Sequence, residues 1–211
     1  MPKTDRLKGS IGRIDLDFVE REATPKMFMK IAIQVHLAGL SLSNTVSLLE
    51  VFGVHRARST VHNWVHKADL QPKPSKNPDQ VAVDETVIRL NDERYWLYTA
   101  VDTDTNELLL TKLEPTRNKV IASSFFRELR EKHDVDDADF LIDGDHALHY
   151  ACQRHGLSFR YERQGDRNSV ERVNREIKRR TSSFSNCFSN AKQETADQWL
   201  AALAFAWNQL I

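Results

Sequence analysis

The chain has 211 residues, and its 30 Lys and Arg balance its 30 Asp and Glu, so the formal net charge is zero. The 40% hydrophobic and 28% charged residues are typical of a soluble globular protein. Zero net charge argues against a uniformly basic nucleic-acid binder, and two cysteines outside any CxxC pair argue against a thiolate zinc site or a disulfide framework.

Three helices are predicted before residue 70. Apolar residues recur at helical spacing from 27 to 37, a second helix follows with Ser43 as its N-cap, and a third runs from about Ala57 to Lys67. Gly53 supplies a turn between the second and third helices. This arrangement predicts a helix-turn-helix, in which the later helix enters the major groove of DNA.

The predicted DNA-facing side chains of this motif can reach base edges and phosphates. Arginine and asparagine read guanine and adenine through paired hydrogen bonds. A small helical bundle without a ligand is the alternative. The candidate DNA-binding residues here are Arg56, Arg58, Ser59, Thr60, His62 and Asn63.

The pattern changes after residues 70–78, which hold three prolines and are typical of a linker. Three strand-like runs with short turns predict an antiparallel meander. A helix, a strand, a helix, a short strand and a basic amphipathic helix follow, and then a last apolar helix. We therefore predict an α/β protein with an all-α helix-turn-helix domain at residues 1–69 and a core with the ribonuclease H-like element order at 79–211.

Three carboxylates lie on separate elements of this core. Asp84 lies within the first strand, Asp143 ends another apolar strand, and Glu171 lies on the basic helix. A carboxylate among apolar residues is costly unless its charge is compensated, and a divalent cation with oxygen ligands compensates it. Two such ions about 3.5–4 Å apart promote phosphodiester hydrolysis and strand transfer. A turn aspartate or a solvated glutamate is the alternative for each residue alone.

Several motifs together resemble the DDE transposases of the insertion sequence six family over nearly the whole chain. They are STVHNWVHK, VDET, YWLYTAVD with TDTNELL, PTRN, LIDG and NSVERVNREIKRR. The resemblance implies a catalytic and metal-binding triad of Asp84, Asp143 and Glu171 that holds two Mg²⁺ or Mn²⁺ ions. It implies DNA partners, namely terminal inverted repeats and target DNA, and at least a dimer of the chain on DNA.

The basic helix carries a further part of the resemblance. Lys178 follows Glu171 by seven residues, at a position where the family has a basic residue two helical turns beyond the glutamate. Both side chains would lie on one helix face. A solvated charged face is the alternative. The candidate contacts of this helix with the DNA backbone are Arg172, Arg175, Lys178 and Arg179.

Some assignments remain open. The 27 residues between Asp143 and Glu171 are fewer than is usual in the family, so Asp145 competes as the second ligand. Asp143 is preferred because it ends the apolar strand directly. Glu85 and Asp102 could contact and support the metal ligands, but they are expected to be turn or surface charges.

Two other functions are also compatible with the sequence. They are an inert DNA-binding regulator derived from a transposase, and another ribonuclease H-like nuclease that acts on RNA–DNA hybrids. The sequence contains neither an N-terminal signal peptide nor an apolar run of about 20 residues, which predicts a cytoplasmic, nucleoid-associated protein with no membrane partner.

Overall fold

The structure is a computed structural model that describes residues 11–18, 23–162, 165–181, 188 and 190–210. No helix in these ranges is long and apolar enough to cross a bilayer. A short 3-10 turn, Gly165–Arg167, lies directly before the basic helix. The elements in chain order are α1 (Lys26–Leu37), α2 (Leu42–Val51), α3 (Arg58–Lys67), β1 (Gln80–Leu90), β2 (Glu93–Asp102), β3 (Leu108–Glu114), α4 (Lys119–Lys132), β4 (Asp139–Ile142), α5 (His146–His155), β5 (Phe159–Tyr161), α6 (Asn168–Arg180) and α7 (Gln193–Leu210).

The five strands form one mixed sheet in the order β3-β2-β1-β4-β5. The pairs β1–β2 and β2–β3 are antiparallel, whereas β4 runs parallel to both β1 and β5. An antiparallel meander extended by parallel strands through helical crossovers is the ribonuclease H-like arrangement. The predicted fold class, an α/β core preceded by an all-α region, is confirmed.

Side-chain hydrogen bonds cap the N-termini of α2, α4 and α5. Asn118 caps α4, because its side-chain oxygen accepts hydrogen bonds from the backbone N–H groups of Val120 and Ile121. The predicted cap of α2 was wrong by two residues: Ser41, rather than Ser43, accepts a hydrogen bond from the Asn44 N–H at 3.1 Å. Both serines have the chemistry of a cap, so their types alone did not distinguish them.

Two apolar cores lie on the two faces of the sheet. Alternation along β1 sends Val81 and Val83 towards α4 and α5, and Ala82 and Ile88 towards the other helices. The core on the Ala82 face of the sheet includes Trp64 of α3 together with residues of α1, α6 and α7. The N-terminal helices therefore share a core with the sheet, while the division at residues 70–78 stays a prediction.

Helix α7 covers the exposed edge of the sheet by pairing with the backbone of β3. The side chain of Asn208 accepts a hydrogen bond from the N–H of Leu108 at 2.7 Å and donates one to its carbonyl at 2.8 Å. At the other end of β3, Asp197 accepts from the N–H of Leu113 and Gln193 donates to its carbonyl, both at 2.7 Å. These contacts provide partners for the backbone groups of Leu108 and Leu113 at the sheet edge, which could otherwise pair with a strand of another chain.

Asp197 gives this edge contact a pH dependence. Burial, and secondarily Glu114, raises the pKa of Asp197 from its ordinary value of 3.8 to about 6, although the hydrogen bond from Leu113 opposes the rise. A raised folded-state pKa means that stability is greatest below the unfolded pKa and falls as pH rises through the folded value. We expect Asp197→Asn, which keeps the acceptor without the charge, to stabilise the fold by about 1–2 kcal/mol near neutral pH. Urea denaturation should show this gain vanishing below about pH 4; a gain of equal size at both pH values would contradict it.

Candidate active site

The pairing of β1 with β4 brings two carboxylates to one edge of the sheet. Ala82 of β1 is paired with Leu141 of the parallel strand β4. Asp84 and Asp143 each lie two residues further along, so their side chains emerge on the same face. Helix α6 packs on that face through Val170, which belongs to the same core as Ala82, and presents Glu171.

All three carboxylates meet one arginine. The Nη2 atom of Arg167 lies 2.6 Å from Oδ1 of Asp84 and 3.6 Å from Oδ2 of Asp143. Its Nη1 atom lies 2.9 Å from Oε1 of Glu171. Glu171 follows Arg167 by four residues, which is about one helical turn. The Arg167 side chain is only 8% exposed, so the structure brings the three predicted site residues together around a buried guanidinium.

Hydrogen bonds from other groups of the protein hold one oxygen of Asp84 and one oxygen of Asp143. Asn174 of α6 donates a hydrogen bond to Oδ2 of Asp84 at 3.0 Å, and the hydroxyl of Thr99 on β2 donates to the Asn174 carbonyl oxygen at 2.9 Å. The backbone N–H of Asp145 donates to Oδ1 of Asp143 at 2.9 Å. Each aspartate therefore keeps one oxygen on a protein donor and turns the other towards Arg167.

The site carries an excess of negative charge. Counted as formal charges, three carboxylates against one guanidinium give −2. Burial raises the pKa of Asp84, as does the nearby Asp143, whereas Arg167 and Asn174 favour its ionised form. An environment that penalises the charge of Asp84 favours the arrival of a further cation.

No three His, Cys, Asp or Glu side chains within the described ranges stand close enough to hold one metal ion as they are placed. The guanidinium of Arg167 lies between the carboxylates and takes up the space that they surround. Asp143 is the aspartate that shares this cation. Asp145 instead caps α5 through hydrogen bonds from the N–H groups of Ala147 and Leu148.

A second buried carboxylate lies on the opposite face of β1. Glu85, with a side chain 3% exposed, contacts Arg117 at 2.7 Å, and the same Arg117 nitrogen lies 3.2 Å from Asp145. The Arg117 guanidinium stacks over the ring of Trp96. Burial, and then Asp145, raises the pKa of Glu85 to about 7, with Arg117 opposing.

Glu85 and Asp102 were both expected to be surface or turn charges, and the structure gives a different outcome for each. The expectation of a surface or turn charge was wrong for Glu85, because strand alternation turns it into the sheet face opposite to that of Asp84. It is confirmed for Asp102, which accepts hydrogen bonds from the N–H groups of Asp104 and Thr105 in the turn after β2.

The candidate DNA-binding residues around α3 differ in accessibility. Arg58, Ser59 and Asn63 are exposed, whereas Thr60 and His62 are half-buried. Arg56 is engaged within the fold by the Thr24 hydroxyl and the His55 carbonyl.

The histidines of α3 face α7 across an open groove of about 960 Å³. The rings of His62 and His66 lie 4.3 Å apart, and His66 contacts Gln198 of α7 at 3.2 Å. Burial lowers the pKa of both rings, which favours their neutral forms.

The basic helix α6 has an exposed face with Arg172, Arg175, Lys178 and Arg179. Arg172 contacts Asn106, and Arg179 is paired with Glu176 at 2.7 Å. Arg180, at the end of the helix, donates to the Leu37 carbonyl at 2.9 Å and so closes the C-terminus of α1.

Sequence reasoning missed Arg167, Asn174 and Thr99. One signal was available for the first two, because Arg167 precedes Glu171 by four residues and Asn174 follows it by three, so all three share a helix face. Thr99 gave no such signal. Its position opposite Asp84 depends on the register of β1 with β2.

Comparison with known proteins gives a family match and several structural likenesses. Residues 78–196 match the model of a DDE domain family, DDE_Tnp_IS240. An uncharacterized protein of Methanocaldococcus jannaschii is 28% identical over 177 residues, which cover 82% of each chain.

Two of the similar solved structures come from retroviral proteins. The HTLV-2 integrase catalytic core domain in complex with magnesium has a TM-score of 0.45 and 16% identity over 60% of this chain and 84% of that chain. A simian T-cell lymphotropic virus intasome in complex with a PP2A regulatory subunit has a TM-score of 0.47 and 14% identity over 83% of this chain and 66% of that chain. Both scores are low, and the fold assignment rests on the order and direction of the strands.

Proposed function

Because this chain belongs to the DDE transposase family, whose domain model it matches over residues 78–196, we propose that it is an insertion-sequence transposase. It binds the ends of its element, cleaves DNA there and joins the freed 3′-hydroxyl groups to target DNA. One observation carries the proposal: Asp84, Asp143 and Glu171, from three separate elements, surround a single cationic group at one edge of the sheet.

The proposed cofactors are two Mg²⁺ or Mn²⁺ ions held by this triad. The donor set fits them, because both ions prefer oxygen ligands and each aspartate directs one oxygen towards the shared cation while a protein donor holds the other. When bound, such ions activate the attacking oxygen and stabilise the leaving one. The residues of the chain orient the ligands: Asn174 sets the carboxylate plane of Asp84, and the Asp145 N–H sets that of Asp143.

The proposed DNA-binding surface has two parts. Helices α2 and α3, within the helix-turn-helix domain proposed for residues 1–69, would bind element ends through the exposed Arg58, Ser59 and Asn63. The exposed basic face of α6 would follow the DNA backbone beside the triad. Because two element ends must be brought together, the acting form is proposed to be at least a dimer.

The part proposed for α3 gives a quantitative prediction. We expect Arg58→Ala to weaken binding to element-end DNA and to reduce the slope of log Kd against log salt by about 1, because one phosphate contact is lost. Fluorescence anisotropy at several salt concentrations measures both quantities. Arg127→Ala is the matched control, since Arg127 is exposed on α4, whose buried residues belong to the core on the other face of the sheet. A slope equal to that of Arg127→Ala would rule out a phosphate contact at Arg58.

The experiment that tests the function uses a DNA duplex carrying the short inverted repeats that flank the gene. We expect strand cleavage next to the repeat with Mg²⁺ or Mn²⁺ and none in EDTA. Binding of the repeat without cleavage in any divalent cation would favour an inert regulator. Preferential cleavage of an RNA–DNA hybrid of the same sequence would favour a different ribonuclease H-like nuclease.

A further inference from the structure

Arg167 lies where the carboxylates of the triad point. Its two terminal nitrogens lie within 4 Å of Asp84, Asp143 and Glu171, each through one carboxylate oxygen. The other oxygen of Asp84 accepts a hydrogen bond from the Asn174 amide, and the other oxygen of Asp143 accepts one from the Asp145 N–H. The guanidinium therefore uses the same atoms that a divalent ion would need.

The physical role of Arg167 follows from the charges. Three carboxylates gathered on one partly buried edge repel one another, and an unpaired buried charge is strongly destabilising. One guanidinium, itself buried, compensates part of this charge and holds the three side chains together. Without Arg167 or another cation, we would expect the three carboxylate side chains to move apart.

The pose of Arg167 also has a cost. Its Nε atom is buried and has no hydrogen-bond partner. A buried donor left unsatisfied is destabilising relative to its hydrated state. Arg167 also sits at the end of the short 3-10 turn before α6, rather than within a long helix. The carboxylates therefore contact the two terminal nitrogens of the guanidinium, while its Nε atom has no hydrogen-bond acceptor.

We propose that Arg167 is a displaceable internal cation. In the metal-free protein it holds Asp84, Asp143 and Glu171 together, and when a divalent ion binds it moves away from the carboxylate oxygens that it contacts. This inference rests on the proposed metal-dependent function. Metal binding must then supply the free energy that separates Arg167 from the carboxylates, so Arg167 lowers the affinity of the triad for metal. By linkage, a bound divalent ion weakens the hold of the triad on Arg167 by the same factor.

The test measures Mn²⁺ binding and thermal stability, with no DNA and no turnover. Free Mn²⁺ is followed by electron paramagnetic resonance during titration of the full chain, and melting is recorded in EDTA and in saturating Mn²⁺. The variants are Arg167→Ala and Arg167→Gln, of which the second preserves bulk if the first fails to fold. Arg127→Ala is the control, because that arginine is 67% exposed.

We expect both Arg167 variants to bind Mn²⁺ about tenfold or more tightly than wild type, within the usual range of coupling between sites. They should melt below wild type in EDTA and gain more from Mn²⁺, while Arg127→Ala matches wild type in both respects. Equal or weaker Mn²⁺ affinity in the Arg167 variants, with binding still abolished by Asp84→Asn, would overturn this inference alone. Absence of Mn²⁺ binding from wild type and both variants would overturn the metal-dependent function as well.

Discussion

Replacement of Asp84 by asparagine should abolish strand cleavage at the element ends. Asp84 is the central member of the proposed triad, since it lies on the middle strand and contacts both Arg167 and Asn174. Asparagine preserves shape but removes the charge that would bind metal. Changes to groups that only orient metal ligands already cost about 10–100-fold, so we expect a loss larger than about 100-fold.

The measurement for Asp84→Asn is single-turnover cleavage in Mg²⁺, together with a gel-shift assay for end binding. Binding should be unchanged, because α2 and α3 carry it in our proposal. Asp79→Asn is the matched control, because Asp79 is exposed just before β1. This substitution removes the same charge at a position outside the triad. Cleavage by Asp84→Asn at the rate of Asp79→Asn would remove Asp84 from the catalytic assignment.

The second large effect is expected at Trp199, where the N-terminal helices meet α7. Its side chain is 5% exposed, and its indole N–H donates to Nε2 of His36 on α1 at 3.3 Å. The other ring nitrogen of His36 contacts the Leu40 carbonyl at 2.8 Å, which indicates a neutral ring with its hydrogen on Nδ1. Burial lowers the pKa of His36 and so agrees with that neutral form.

Trp199→Ala should therefore destabilise the protein by about 3–5 kcal/mol, the usual cost of removing a large buried aromatic side chain. Trp199→Phe retains most of the ring but not the donor, so we expect a clearly smaller loss. Chemical denaturation followed by circular dichroism measures both. If Trp199→Ala cost less than about 1 kcal/mol, the contact between α1 and α7 would contribute little to stability.

The sequence alone determined the elements and the place of each carboxylate on them. Asn118 marks the start of α4, and Gly156, in the left-handed conformation at the end of α5, marks where that helix stops. Caps, turns and apolar periods are interactions between near neighbours in the chain, so they can be recognised before any folding is known. The placement of Asp84 within a strand and Asp143 at a strand end came from the same local signals.

Only the tertiary structure decided what these side chains meet. Arg167 and Asp84 are 83 residues apart, and their contact depends on the docking of α6 against β1. Strand alternation made Glu85 a buried partner of Arg117 once the helices had covered the sheet face opposite to that of Asp84. Such contacts depend on strand register and on the packing of distant elements. The spacing of Arg167 and Glu171 indicates that they share a helix face, but it does not indicate which strand carboxylates that face meets.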